Sequence, residues 1–361
     1  MTGYMAVFLL GIVTTFLSTP LVKKLAVRIG AVDKPNARKV HHRLMPRLGG
    51  LSIYLGFLAS TIWLVGDYKV VSAILIASSV VVLTGILDDK YQLKPIYKLL
   101  GQVIAALVIV FFDVQMKFIH LPFDLANDST FNFGFLAIPI TIFWIVGVTN
   151  SINLIDGLDG LATGVTAIAT ATMLVLAVMM GNVPVIFMAS ALLGSLLAFL
   201  YFNFYPAKIF MGDTGSLFLG FMMAVLSLLG FKQVAFTSFI IPLLVLGVPL
   251  SDTAFAILRR IVNNKPISAP DKQHLHHCLM RVGFSHRGTV LLIYGISAFF
   301  GLSAILFSRV TVWIEVVMLI LILLLLSWGA EALGIISTKY KPFTRAWIRS
   351  KRALRKAARV K

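Results

Sequence analysis

The chain has 361 residues, 59% of them hydrophobic and only 13% charged, with a mean hydropathy of +0.94. No polar stretch is long enough for a soluble domain, which is nearer one quarter charged. The composition therefore predicts an all-α polytopic membrane protein. Its net charge of +18 points to basic loops meeting anionic lipid at one membrane face, and not to nucleic acid. The single Cys278 excludes an intrachain disulfide.

Apolar runs of about 17–25 residues mark membrane crossings. Eleven are expected, over 3–22, 48–66, 69–87, 96–112, 135–151, 161–181, 183–202, 214–231, 235–256, 289–308 and 311–336. The first has no basic stretch before it and Lys23 and Lys24 after it, so a retained helix is expected and not a cleaved leader. With the N-terminus outside, 28 of the 32 Lys and Arg fall in cytoplasmic stretches. Only Lys69, Lys117, Lys232 and Arg309 fall outside. This bias predicts N-out, C-in, which requires an odd number of crossings. One transmembrane domain is expected over 1–338, followed by a basic cytoplasmic tail over 339–361. Asp67, Asp113, Asp124 and Asp128 then lie in external loops. Asp88, Asp89, Asp156, Asp159 and Asp213 lie at cytoplasmic ends of crossings.

The third crossing closes on Asp88-Asp89. One Asp suffices to stop an apolar helix. Two at a helix C-terminus oppose the helix dipole and repel each other, which calls for a cation or a proton. Next, Trp144 to Gly164 reads WIVGVTNSINLIDGLDGLATG, with Asn150, Asn153, Asp156 and Asp159 three residues apart. If the helix continues, this spacing keeps them along one face. Gly157 and Gly160 let the chain leave the helix and a ligand approach the backbone. A helix cap would explain one such residue, hardly four.

Asn203 to Ser216 reads NFYPAKIFMGDTGS. Pro206 breaks the seventh crossing, and Gly212-Asp213-Thr214-Gly215 opens the eighth. Asp213 suits an N-cap, and a helix start also suits a phosphate. The loop from Arg259 to Arg287 carries His274, His276 and His277, with His286 and Arg287 further on. Clustered His suggests zinc, but with one Cys nearby the better reading is His and Arg facing phosphate oxygens. Five carboxylates near Lys90, Lys94 and Lys208 repel anions and one another. A hard divalent cation with oxygen ligands resolves this, because Mg²⁺ bridges one or two carboxylates to substrate phosphates. A lipid-boundary position suggests that one reactant is a lipid.

Taken together, the DD pair, NxxNxxDGLDGLA, NxxPAxxFMGDTGS and HxHH resemble the polyprenyl-phosphate N-acetylhexosamine-1-phosphate transferases. GAVDKPNARKVHHRLMPRLGG, LDDKYQL and PISAPDKQHLHHCLMRVGFSHR are similar to the bacterial branch that starts wall teichoic acid or other envelope polymers. The resemblance covers almost the whole chain. It implies transfer of N-acetylglucosamine-1-phosphate from UDP-N-acetylglucosamine to undecaprenyl phosphate at the cytoplasmic face of a bacterial membrane, with UMP leaving. It implies Mg²⁺ as cofactor, with Mn²⁺ as the alternative, and membrane lipid as a partner. A homodimer is compatible with it. Asp88 and Asp89 match the catalytic pair, and Asp213 the metal ligand, with Asp89 beside it. Asn153, Asp156 and Asp159 match the nucleotide pocket, and Asn203 and Phe210 positions next to it. His274, His276 and His277 match the phosphate-side cluster, and Lys98 and Arg287 join the substrate-binding set. Leu275 interrupts the HHH of muramoyl-pentapeptide transferases, so that alternative substrate fits less well. A secondary transporter is the alternative from another class, but its coupling acids belong near the bilayer midplane.

The phosphate of the lipid is mostly a dianion at neutral pH, since its second pKa is about 6. It needs positioning more than deprotonation, which favours direct attack over a covalent intermediate on Asp88. The charge bias yields a first test. A reporter fused after Lys361 should be active only if it works in the cytoplasm, and activity on the far side would overturn the orientation.

Overall fold

The computed structural model describes residues 2–33, 44–64, 68–120, 130–230, 237–266, 271, 273–310 and 312–335. They are mainly helical: α1 (Thr2–Ile29), α2 (Gly49–Thr61), α3 (Lys69–Tyr91), α4 (Pro95–Phe111), α5 (Ala137–Ile155), α6 (Leu161–Met180), α7 (Val183–Asn203), α8 (Gly212–Gly230), α9 (Thr237–Val245), α10 (Gly247–Val262), α11 (Leu275–Val282), α12 (His286–Phe307) and α13 (Val312–Ala332). Two short antiparallel pairs join β1 (Val32–Asp33) to β2 (Met45–Pro46) and β3 (Phe118–His120) to β4 (Thr130–Asn132). Eight helices, α1, α3, α5, α6, α7, α8, α12 and α13, are long and apolar enough to cross a membrane. The apolar helices over Gly49–Leu64 and Pro95–Phe111 are shorter. The chain is a multi-pass membrane protein.

Each expected crossing contains a helix, with differences at the edges. The ninth is interrupted: α9 carries Pro242 and ends at Val245, and α10 starts at Gly247. Pro249, in the first turn of α10, has no N–H to give to the Val245 carbonyl and crowds the turn before it, where the break lies. At its start, α1 runs past the apolar stretch to Ile29, so that Lys23, Lys24 and Arg28 ride on its last turns. Asp113, expected in an external loop, is exposed and paired with Lys117. Asp67, Asp124, Asp128, the basic loop over 34–43 and the tail over 339–361 lie outside the described residues.

Two compact units divide the chain. The first comprises Met1–Leu250 and Val290–Arg309, the second Ser251–Thr289 and Val310–Lys361. In the first, α8 is the central element and packs against α2, α3, α5 and α6. Within its apolar window 94% of residues are buried, against 22% for α1, so α8 is enclosed by protein and α1 faces outward. Its own Phe218 and Phe221 are fully buried, as are Phe57 of α2 and Phe199 of α7. The second unit gathers Cys278, Ala330 and Ile335 with Phe255, Leu275 and Leu333. There Arg259 pairs with Asp271 and donates from Nη1 to the Ile335 carbonyl at 2.6 Å.

Glycine lets the helices around α8 come close. A Cβ at Gly50 of α2 would overlap Gly215, and one at Gly85 of α3 would overlap Thr214. Both contacts are with backbone, which cannot swing aside. Gly50→Ala and Gly85→Ala should each therefore cost about 1–3 kcal/mol, the usual cost of overpacking. Gly147→Ala, where a Cβ meets nothing within 4 Å, should leave stability unchanged or slightly raised. Thermal unfolding of the three variants in detergent checks the contrast.

Candidate active site

The start of α8 is fixed from two sides. The chain entering α2 runs beside the chain entering α8. Phe210 N donates to the Pro46 carbonyl at 2.9 Å, Gly49 N to Phe210 O at 2.9 Å and Gly50 N to Met211 O at 2.8 Å. Gly212 then turns the chain with φ +72°, and a Cβ there would strike the Asp89 carboxylate and the Arg47 carbonyl. From α3, Asp89 faces the first amides of α8. Its Oδ1 accepts from Asp213 N at 2.9 Å. Its Oδ2 accepts from Thr214 N at 2.9 Å and Thr214 Oγ1 at 2.6 Å. Asp213 was the sequence candidate for an N-cap; the capping carboxylate instead comes from α3.

Two cations tie the acids together. Arg47 lies just before α2. Its Nε is 3.5 Å from Asp89 Oδ1, its Nη2 3.2 Å from Asp213 Oδ1 and its Nη1 4.0 Å from Asp33 Oδ1. Burial works against its charge, but Asp89, Asp213 and Asp33 outweigh it and raise its pKa further. From the first turn of α4, Lys98 Nζ is 2.8 Å from Asp213 Oδ2 and 3.4 Å from Asp88 Oδ2. Asp88 and Asp213 are themselves close enough to share a hydrogen bond. Three helix ends, those of α3, α4 and α8, and the segment before α2 thus bring together three carboxylates and two cations.

The Asn and Asp series does not form one row. α5 ends at Ile155, so only Asn150 and Asn153 are helical. Asn150 Nδ2 donates to Gln102 Oε1 of α4 at 2.7 Å, and Asn153 Nδ2 to Ser216 Oγ of α8 at 2.7 Å. Asp156 sits at the helix end, within the field of Asp213, Arg47 and Asp89. Asp159 accepts from Ala207 N at 3.0 Å. Of the two glycines, Gly160 takes positive φ, at +75°, and its carbonyl accepts the hydroxyl of Tyr294 from α12. Asn203 is buried and holds the following loop: its Oδ1 accepts from Thr163 Oγ1 at 2.7 Å, and its Nδ2 donates to Ile209 O at 3.0 Å. Phe210 contributes its backbone to the pairing with Pro46 and Gly49.

A divalent cation fits this chemistry. Among the described residues no group of three or more His, Cys, Asp or Glu is set to hold a metal. Mg²⁺ commonly takes only one or two carboxylates and completes its shell with water and phosphate. Asp88 and Asp213, on different helices yet within reach of each other, share the charge of Lys98, and a divalent cation there would find two carboxylate oxygens in place of that ammonium. Asp89, expected as the second ligand, has its oxygens turned to α8.

The histidines belong to the second unit. His274 Nδ1 lies 2.8 Å from Asp252 Oδ2, and Leu275 N donates to Asp252 Oδ1 at 2.8 Å. Asp252 thereby holds the first residue of α11 and the imidazole before it. His276 stacks parallel to His274, with ring centroids 6.1 Å apart. Burial pushes its imidazole down to about 3, and His277 adds to the shift. It is neutral at pH 7 and offers one N–H, not a positive charge. Burial resists the charge on Asp271, but the hydrogen bond and charge of Arg259 hold it below the usual carboxylate range. Arg287 opens α12.

Arg47, Thr214, Asp252 and Tyr294 escaped the sequence reading. Asp252 had a signal: it is a lone acid inside the apolar run 235–256. Arg47 was one basic residue among eight in its loop, and nothing local marked it.

Residues 71–231, from α3 through α8, match glycosyl transferase family 4. Over 345 residues, 95% of each chain, the protein is 46% identical to a probable undecaprenyl-phosphate N-acetylglucosaminyl 1-phosphate transferase of Bacillus subtilis. It is 35% identical, over 82% of each chain, to a decaprenyl-phosphate N-acetylglucosaminephosphotransferase of Mycobacterium leprae. With an undecaprenyl-phosphate alpha-N-acetylglucosaminyl 1-phosphate transferase of Salmonella typhi it shares 29% identity, over 83% of this chain and 84% of that one.

Asp156 carries a pH prediction. Burial, with the charge of Asp213 adding, raises its pKa from 3.8 to about 7, although Arg47 opposes the shift. A carboxyl whose folded pKa is raised costs stability once it ionises. That cost is absent below the unfolded pKa, grows as pH rises, and is complete above the folded pKa. Asp156→Asn should therefore raise the Tm of the metal-free protein by a few degrees at pH 8 and leave it almost unchanged at pH 4, as read by thermal unfolding in detergent.

Proposed function

Because the chain belongs to glycosyl transferase family 4, we propose that it transfers N-acetylglucosamine-1-phosphate from UDP-N-acetylglucosamine to undecaprenyl phosphate. The products are UMP and undecaprenyl-diphospho-N-acetylglucosamine, for a cell-envelope polymer. One observation carries the reading: carboxylates from α3 and α8 meet Arg47 and Lys98 at the ends of their helices, with Asp156 beside them. A cluster in which the carboxylates outnumber the two cations suits a diphosphate that arrives with a metal ion while its acceptor stays in lipid. A transporter's coupling site belongs at mid-span instead.

Asp213 with Asp88 would hold Mg²⁺, which supplies charge cover for the phosphate oxygens. Lys98 and Arg47 are the chain's own cations at the same point. When anionic substrate arrives they exchange carboxylate partners for phosphate oxygens, which they meet without desolvating a new charge. Asp156, Asp159 and Asn153 face the nucleotide, while Asn203 and Phe210 shape the loop beside it. Within the second unit, His274, His276, His277 and Arg287 are the phosphate-binding candidates that the family resemblance implies. An oxygen of the lipid phosphate attacks the sugar-linked phosphorus, and the bond from that phosphorus to the UMP oxygen breaks. The attacking group is already ionised near neutral pH, so Asp88 orients it with Lys98 and no covalent enzyme intermediate forms. We further propose eleven crossings, counting the two shorter helices and the interrupted α9–α10 segment as one crossing each, with N-out, C-in and the site cytoplasmic.

Mixing detergent-solubilised enzyme with UDP-N-acetylglucosamine and Mg²⁺, with and without undecaprenyl phosphate, tests this. No UMP should appear until the lipid is added, and Asp88→Asn should slow turnover by roughly 10²- to 10⁴-fold. A stoichiometric UMP burst from lipid-free enzyme, absent in Asp88→Asn, would assign a covalent step to Asp88. Absence of UMP in every mixture would remove the proposed reaction.

A further inference from the structure

The adjacent acids Asp88 and Asp89 face different tasks. Neighbouring residues on an α-helix project about 100° apart, so two adjacent carboxylates do not readily serve one point. Here they diverge. Asp88 has Lys98 at 3.4 Å and Asp213 within reach, beside the proposed metal site. Asp89 looks the other way, into the start of α8, with a side chain that is 0% exposed.

An ionised carboxylate offers about four lone-pair sites. Around Asp89, three hydrogen-bond donors address them, Asp213 N, Thr214 N and Thr214 Oγ1, and the Arg47 guanidinium lies 3.5 Å from Oδ1 as an ion-pair partner. A substrate or metal would have to displace the amides that begin α8. Two glycines support the same geometry independently. Gly85, one turn before Asp89, admits the backbone of Thr214, and Gly212 leaves the space that the Asp89 carboxylate fills. α3 thus presents a glycine and an acid, four residues apart, as a socket for the first turn of α8.

We infer that Asp89 is a positioning residue: it caps α8 from the neighbouring helix and thereby sets where Asp213 stands, while Asp88 is the member of the pair that meets the reacting groups. This rests on the reading of Asp213 as a metal ligand. It reassigns Asp89, which the family resemblance places in the catalytic pair and beside the metal.

The test separates capping from ligation by measuring both in the whole, substrate-free enzyme. Hydrogen exchange of the peptide covering 212–216 reports the cap, and Mn²⁺ titration followed by electron paramagnetic resonance reports the metal site. Asp89→Asn and Thr214→Val should both speed exchange at 212–216. Both should weaken Mn²⁺ binding roughly 10- to 100-fold without abolishing it, as loss of a supporting partner does. Thr214→Ser, which restores the hydroxyl, should return both readouts to wild type. Asp213→Asn should abolish Mn²⁺ binding while leaving exchange slow. The inference is overturned if Asp89→Asn keeps 212–216 fully protected, or if it abolishes Mn²⁺ binding as Asp213→Asn does. Should Asp89→Asn fail to fold, the Thr214 pair decides alone: unchanged exchange and Mn²⁺ affinity in Thr214→Val would overturn the inference. If wild-type enzyme binds no Mn²⁺, the metal reading fails, and the exchange arm still decides whether Asp89 holds α8.

Discussion

A helix that begins inside protein, away from water, must find acceptors for its first amides. That constraint governs this molecule because α8 is its most enclosed helix. Its first turn cannot be left to solvent, so α3 brings a carboxylate to it, and that carboxylate needs a cation of its own. Arg47 meets the need and reaches Asp213 as well. Lys98 then couples Asp213 to Asp88. The electrostatics of the site therefore descend from a backbone problem. The same residues that satisfy α8 also gather charge at the ends of α3, α4 and α8.

The cluster holds more carboxylates than cations. Buried carboxylates beside one another are costly, and here only two cations oppose them. Such a site gains from any partner that brings positive charge, and it releases cationic side chains when an anion arrives with that partner. Metal and diphosphate thus suit the site better together than either does alone. Close packing through Gly50, Gly85 and Gly215 holds the acids in this unfavourable proximity, because rigid backbones cannot drift apart to relieve it.

Much of this was legible in the sequence. Apolar length located the helices, since a bilayer imposes one length on all of them. The acids at 88, 89, 156, 159 and 213 were assigned to a common face by charge bias; the structure brings 88, 89, 156 and 213 together, and turns Asp159 to the Ala207 amide. Other features were not legible, for definite reasons. Three-residue spacing suggested one row for Asn150 to Asp159, but α5 ends at Ile155, and beyond a helix end spacing no longer sets direction. Arg47 meets Asp213 across 166 residues, a pairing that no local pattern encodes. The break at Leu246 lies in the turn before Pro249, whose ring has no N–H for the Val245 carbonyl, whereas hydropathy averages over both sides of it. The buried, neutral state of His276 depends on enclosure, which composition does not report.

The hydrogen bond from Tyr294 to the Gly160 carbonyl spans 134 positions. Its consequence is one of timing. The acids at 88, 89, 156, 159 and 213 are all made before the ribosome reaches Tyr294, and chains fold largely from the N-terminus as they emerge. The loop between α5 and α6 is therefore born without its fastener, and it stays so until α12 has been synthesised and inserted. A nascent chain halted after α10 would carry the whole acidic cluster and the bond from Ala207 N to Asp159, but not this second tie. The last fastening of that loop is thus a late event in biogenesis, supplied by a tyrosine of α12.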